Sequence, residues 1–174
     1  MNATDDPALE IAHRHRREIA RIIRAYAHDV DRRDYDHLGT LLSDEAELVV
    51  EVAGAPLVTI AGADRITDAI RAGHRRCVAT SHLLGQISID VDGDGDVATA
   101  ESYCHAHHLD VDAPGVARVM VLRYLDRFER TDRWRIRRRH LVTDWTEYRL
   151  TSPPDRPDPD GPRPWSAHAL RPHR

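Results

Sequence analysis

The chain has no lysine. All 25 of its basic residues are arginine, so neither a lysine Schiff base nor the phosphate-binding lysine of a P-loop is available to it. Aromatic residues make up only 5% of the 174, with a single phenylalanine. Cysteine is equally scarce, and Cys77 and Cys104 cannot build a disulfide framework. No apolar run approaches the roughly 20 residues of a membrane span, and no leader pattern precedes the first helical segment. A soluble, cytoplasmic protein is expected. The formal net charge of -4 gives no bulk electrostatic case for nucleic acid or for an anionic membrane surface.

The 41% hydrophobic content suits one core in one domain. The stretch from Ile19 to Leu42 organises it. Ile19, Ile22, Ile23, Tyr26, Ala27 and Val30 recur at the i, i+3, i+4, i+7 spacing of a buried helical stripe. Two polar groups enter that stripe: the Tyr26 phenol and, one turn beyond Ala27, the Asp31 carboxylate. Polar groups in an apolar layer need partners, so this stretch reads as one wall of a small-molecule pocket.

Along the chain, Asp6-Pro7 supplies an N-cap followed by Pro at the first helical position. A helix runs from there to about Val30, and its charged start, residues 13–18, reads as solvated. A short helix spans about Tyr35 to Leu42, and Asp44-Glu45-Ala46 reads as a turn. Two short strands flank Gly54-Ala55-Pro56, and Gly62 to Gly73 forms a third helix. Four strand-like runs follow, near 80–91, 96–110, 116–130 and 133–149, joined by turn sequences at 92–95, 112–115 and 131–132. The expected fold is α+β: a cone-shaped, curved antiparallel sheet packed by three N-terminal helices, with a pocket in the cone. Residues 1–150 are expected to form the domain, and the proline-rich residues 151–174 a tail.

The ordered set Tyr26-x4-Asp31-x2-Asp34, Gly62, Ser81-His82, Gly95-Asp96-x-Ala98-x-Ala100-x-Ser102-Tyr103, Tyr124-x-Asp126 and Trp134-x-Ile136-x2-Arg139 resembles the SnoaL-like branch of the nuclear transport factor 2-like superfamily. The resemblance spans about residues 10–148. It implies the α+β cone, and chemistry like that of scytalone dehydratase, bile-acid 7α-dehydratase and hexachlorocyclohexane dehydrochlorinase. By position it implies an Asp31–His82 pair and an assisting Tyr26. It also places a polar residue on the second long strand, at His105 or His107, and an arginine on the last strand, at Arg139.

The pairing makes chemical sense. Histidine titrates near pH 6.5 and suits proton abstraction, and a carboxylate on its other ring nitrogen fixes the tautomer. Tyr103, Tyr124, Trp145 and Arg139 are the candidate substrate contacts. The reading is a cofactor-free lyase acting on a small hydrophobic molecule, in a homodimer or larger homo-oligomer. An isomerase, a polyketide cyclase or a non-catalytic binding domain on the same cone remains the alternative.

Other patterns are weaker. His82, His105, His107 and His108 lack a completing carboxylate for a metal site. Asp90, Asp92, Asp94, Gly95 and Glu101 satisfy the spacing of a calcium-binding EF-hand loop, but their flanks alternate like strands. Cys104 has no adjacent base and reads as a buried thiol.

Overall fold

The computed structural model describes residues 7–52 and 54–152. The Asp6 cap and the proline-rich tail beyond Ser152 lie outside the described residues. Three helices, α1 (Pro7–Arg32), α2 (Tyr35–Thr40) and α3 (Ala63–His74), accompany six strands: β1 (Leu42–Val52), β2 (Val58–Ala61), β3 (Cys77–Val91), β4 (Val97–Asp110), β5 (Val116–Arg130) and β6 (Trp134–Leu150). The strands form one curved, unclosed sheet in the order β2-β1-β6-β5-β4-β3. The chain adopts the expected α+β arrangement, with β3 to β6 as an antiparallel meander. One pairing is parallel, β1 against β6, because the chain leaves β1 and returns only after every other element. The expected turn at 44–46 is instead part of β1, where the register shifts between Leu42 and Glu47. An extra residue in a strand bends it without ending it.

The α1 stripe packs as its periodicity predicts. Ile19, Ile23, Tyr26 and Val30 are buried against Phe128, Trp134, Ile136, Ala98 and Ala100. Each such aliphatic side chain contributes about 1.5–3 kcal/mol on burial. The stripe reaches one turn further back than the sequence reading allowed. His15, placed there in a solvated segment, is only 5% exposed. The Trp134 indole Nε1–H donates to His15 Nδ1 at 3.1 Å, and the two rings meet edge to face. The four-residue step from His15 to Ile19 puts the imidazole on the buried face, while His13, Arg14 and Arg17 stay exposed.

Small side chains on β4 let α1 approach the sheet. Its inward positions are Ala98, Ala100, Ser102, Cys104 and Ala106, all buried. The two glycines flanking Asp94 sit in the β3–β4 hairpin. There Asp92 Oδ1 accepts the backbone N–H groups of Asp96 and Val97. The calcium-loop spacing therefore falls on a strand–turn–strand, without the helices that an EF-hand requires. Among the described residues, no helix is long and apolar enough to cross a membrane.

The buried His15–Trp134 bond predicts a measurable cost. His15→Ala leaves the indole N–H without an acceptor and should lower stability by about 1–3 kcal/mol in urea unfolding. His13→Ala, on the exposed face of the same turn, should stay within about 0.5 kcal/mol of wild type.

Candidate functional site

Helix α1 ends where the site begins. Arg33 takes a left-handed conformation, φ 60°, and turns the chain out of the helix. The Asp34 N–H closes onto the Asp29 carbonyl at 3.0 Å, and Arg33 Nη2 donates to the Cys77 carbonyl at 2.8 Å. Asp29, itself buried, accepts from His37 Nδ1 at 2.7 Å and ties α2 to the helix end. Asp31 is thereby aimed at β3.

Its carboxylate accepts three hydrogen bonds from that strand. Oδ2 takes the His82 backbone N–H at 2.7 Å. Oδ1 takes the Thr80 hydroxyl at 2.9 Å and His82 Nδ1 at 2.8 Å. Burial by itself would raise the Asp31 pKa, but the hydrogen bonds and charge of His82, with the Thr80 hydroxyl, outweigh it and hold the carboxyl below its ordinary range. An ionised Asp31 can only accept, so His82 Nδ1 carries the proton and Nε2 the lone pair. The His82 side chain is 8% exposed and that of Asp31 16%. The pair is sheltered without being sealed.

A cavity of about 440 Å³ opens beside this pair. Tyr26, Val30, Leu48, Ile70, Tyr124 and Leu141 give it apolar and aromatic walls. His82, His108 and the Asp110–Arg118 ion pair give it a polar side. Apolar walls with a few converging polar groups characterise small-molecule pockets.

Arg139 lies behind the two tyrosines. Expected from the sequence as a substrate contact, it is only 1% exposed and does not line the cavity. Its guanidinium forms a bidentate pair with Asp126 at 2.8 and 2.7 Å, its partner across the β5–β6 register. It also stacks between the rings of Tyr26 at 3.9 Å and Tyr124 at 4.2 Å. Burial raises the Tyr26 phenol above its ordinary pKa despite the opposing pull of Arg139, and raises Tyr124 further. Both phenols stay protonated near neutral pH.

The structure brings together Asp31, His82, Tyr26 and Tyr124, and puts Arg139 in contact with both tyrosines. It does not bring His105, His107 or Tyr103 to the cavity. These side chains share the outer face of β4, and Tyr103 is 42% exposed. Trp145 lies at an exposed position of β6, at 57%. The inward histidine is His108, whose ring meets that of His82 edge to face, with centroids 5.7 Å apart. A sequence signal for this exists. Residues 98, 100, 102, 104 and 106 are all small, while 99, 101 and 103 include a threonine, a glutamate and a tyrosine. Alternation along the strand puts the small set, and His108 with it, inside. Cys104 is buried, and its thiol is pushed up to about 11 by that burial. Among the described residues, no group of three or more His, Cys, Asp or Glu side chains is placed to hold a metal ion.

These features define a class: a small α+β domain holding a partly apolar cavity with a carboxylate-oriented histidine in its wall. The SnoaL-like domain matches residues 12–140, and the chain belongs to that family. No match is found among the curated proteins. Solved structures agree on the fold. A scytalone dehydratase-like protein from Novosphingobium aromaticivorans DSM 12444 aligns at 22% identity and TM-score 0.69, covering 85% of this chain and 98% of that one. Hexachlorocyclohexane dehydrochlorinase LinA-type3 from Novosphingobium barchaimii LL02 aligns at 17% identity and TM-score 0.72, covering 83% and 98%. An NTF2-like protein with a cystatin-like fold from Novosphingobium aromaticivorans aligns at 26% identity and TM-score 0.63, covering 82% and 92%.

The site's electrostatics predict an acid limb in stability. Burial holds the His108 imidazole down at about 4, against an ordinary value of 6.5, and the charges of Arg118 and His82 add to the effect. Between those two values the unfolded chain binds a proton that the folded chain refuses. Stability therefore falls as pH drops through that window, by up to about 1.4 kcal/mol per pH unit from this site. Asp31 adds its own loss only at lower pH, because its depressed carboxyl contributes fully above the ordinary value of 3.8. Urea midpoints measured between about pH 7 and pH 5 should fall less steeply for His108→Asn than for wild type.

Proposed function

We propose that the protein is a lyase that removes water or a hydrogen halide from a small, largely apolar molecule. The observation that carries this is His82 in the cavity wall with the Asp31 carboxylate bonded to its Nδ1 at 2.8 Å. His82 Nε2, with its lone pair, takes a proton from carbon. Asp31 holds the ring in that tautomer and stabilises the imidazolium that forms. The electrons left on carbon expel hydroxide or halide from the neighbouring atom. Tyr26, kept protonated, donates to the departing group, and Arg139 behind its ring favours the charge that develops there. His108 is neutral near pH 7 and positions substrate as a hydrogen-bonding group. The names of two structural relatives, a scytalone dehydratase-like protein and a hexachlorocyclohexane dehydrochlorinase, refer to loss of water and of hydrogen chloride, which supports the reading at the level of fold.

The 440 Å³ cavity sets the size, that of a compound of one or a few rings. Its walls favour an apolar body with few polar substituents. No cofactor is assigned to the reaction, since every step uses side chains already described.

The test is elimination by the purified protein on a panel of ring compounds bearing hydroxyl or halogen next to an acidic C–H. Products are followed by mass spectrometry in D2O to register proton abstraction. His82→Ala should lower kcat by about 10²–10⁴-fold. Asp31→Asn should lose at least about 10²-fold, because an amide does not stabilise imidazolium. Tyr26→Phe should lose about tenfold, chiefly in kcat. Full turnover by His82→Ala on a substrate that wild type converts would sink the assignment.

A further inference from the structure

His74 lines two hollows, not one. On one side is the cavity just described. On the other is an open surface hollow of about 470 Å³, whose rim carries Arg33, Arg71 and Arg75. His74 is 6% exposed and accepts or donates a 2.9 Å hydrogen bond with the Tyr35 hydroxyl, so the two residues form the partition between the spaces. Gly73 and Arg76, on either side of the C-terminal end of α3, face the cavity itself. A Cβ built on Gly73 meets nothing within 4 Å, so the lip between the two hollows is open at that point.

The charge at this lip is out of keeping with the chain. The whole protein carries a net charge of -4, yet four arginines, Arg33, Arg71, Arg75 and Arg76, converge here. The facing carboxylates are Asp34 and Asp36. Asp34 is already engaged as the cap of α2, accepting the His37 N–H at 3.1 Å. The Asp110 carboxylate at the same end of the cavity is saturated by Arg118 and by the Cys77 thiol. Arg71 lies over the Tyr35 ring at 4.8 Å. Among the described residues, Arg71, Arg75 and Arg76 have no carboxylate partner. Guanidinium groups in excess of the carboxylates that face them, beside a cavity whose inner walls are largely apolar, match one kind of ligand: an apolar body with an anionic end.

We propose that the substrate carries a carboxylate or a phosphate at the end remote from the reacting carbon. That group is held by Arg71, Arg75 and Arg76 at the lip of the cavity, while the ring system passes over the open Gly73 position to reach His82. This rests on the elimination reading for the reaction at His82, but not for the binding. The arginines select an anion whatever chemistry follows. Held this way, the anion fixes how deep the ring enters, and hence which C–H meets the base.

The experiment uses three probes of one shape: 2-naphthoate, 2-naphthyl phosphate and the uncharged 2-naphthol, titrated calorimetrically against the full-length protein at low salt. At least one anion should bind about tenfold more tightly than 2-naphthol, and the advantage should shrink as salt is added. Whichever anion binds more tightly identifies the group as carboxylate or phosphate. In the Arg71→Gln/Arg75→Gln/Arg76→Gln variant, whose changes are all exposed, the advantage should disappear while 2-naphthol binds as before. Circular dichroism confirms that the variant is folded. An absent advantage in wild type overturns the proposal, as does one that survives in the triple variant. His82→Ala separates the two readings: it should keep the anion preference even where turnover is lost. A protein that prefers the anions but eliminates nothing from any panel compound would retain this proposal and lose the lyase.

Discussion

The Asp31 carboxylate is the point on which the structure turns. It sits at the last turn of the longest helix and accepts three hydrogen bonds from one strand: two from His82 and one from Thr80. Through it, the end of α1 is pinned to β3, the outermost strand of the sheet. The same bonds orient an imidazole that has both a fixed tautomer and access to the cavity. Tertiary anchoring and chemical preparation are thus a single interaction. Charge-assisted hydrogen bonds of this length are roughly twice as strong as neutral ones, and partial burial keeps solvent from competing for them.

A second buried charge organises the opposite wall. Arg139 is enclosed by Asp126 and by the faces of Tyr26 and Tyr124. A guanidinium removed from water is tolerated because its charge is matched, two of its nitrogens are bonded, and both faces are covered by π-systems. Its Nη1 has no partner among the described residues. The arrangement makes the cavity wall rigid and polarised at once: two protonated phenols look into the space with a permanent positive charge at their backs.

Between these two anchors, the cavity exists because β4 turns small residues inward. Alanine, serine and cysteine at 98 to 106 let α1 approach the sheet, and the series ends at His108, close to the ring of His82. The helices would meet larger side chains head-on, and the space would shift or close. The charge at the mouth follows another logic. The arginines of the α3 end are exposed, with Arg71 lying over the Tyr35 ring, so electrostatics rather than core packing gives them a role.

Much of this was legible before any coordinates. The period of the α1 stripe, the turn sequences at 92–95, 112–115 and 131–132, and the succession of long alternating runs determine helix, hairpins and meander, because each is a local preference of the backbone. Candidate chemistry was legible where the order of residues matched a family pattern, as for Tyr26, Asp31 and His82. Apart from the turn expected at 44–46, what failed was the reading of which face turns inward, which the sequence marks on β4 by its small residues at 98 to 106 and leaves unmarked elsewhere. His105 and His107 were offered as site residues, and both lie on the outer face of β4. Arg139 was taken for a substrate contact and is enclosed instead, and His15 was read as solvated within a charged run. The sequence by itself determined the elements and the residue types available for chemistry. Only the tertiary structure decided facing, and with it the inward His108, the enclosure of Arg139 and the seat of His15. Facing depends on what packs across from each strand or helix, and that partner lies far away along the chain.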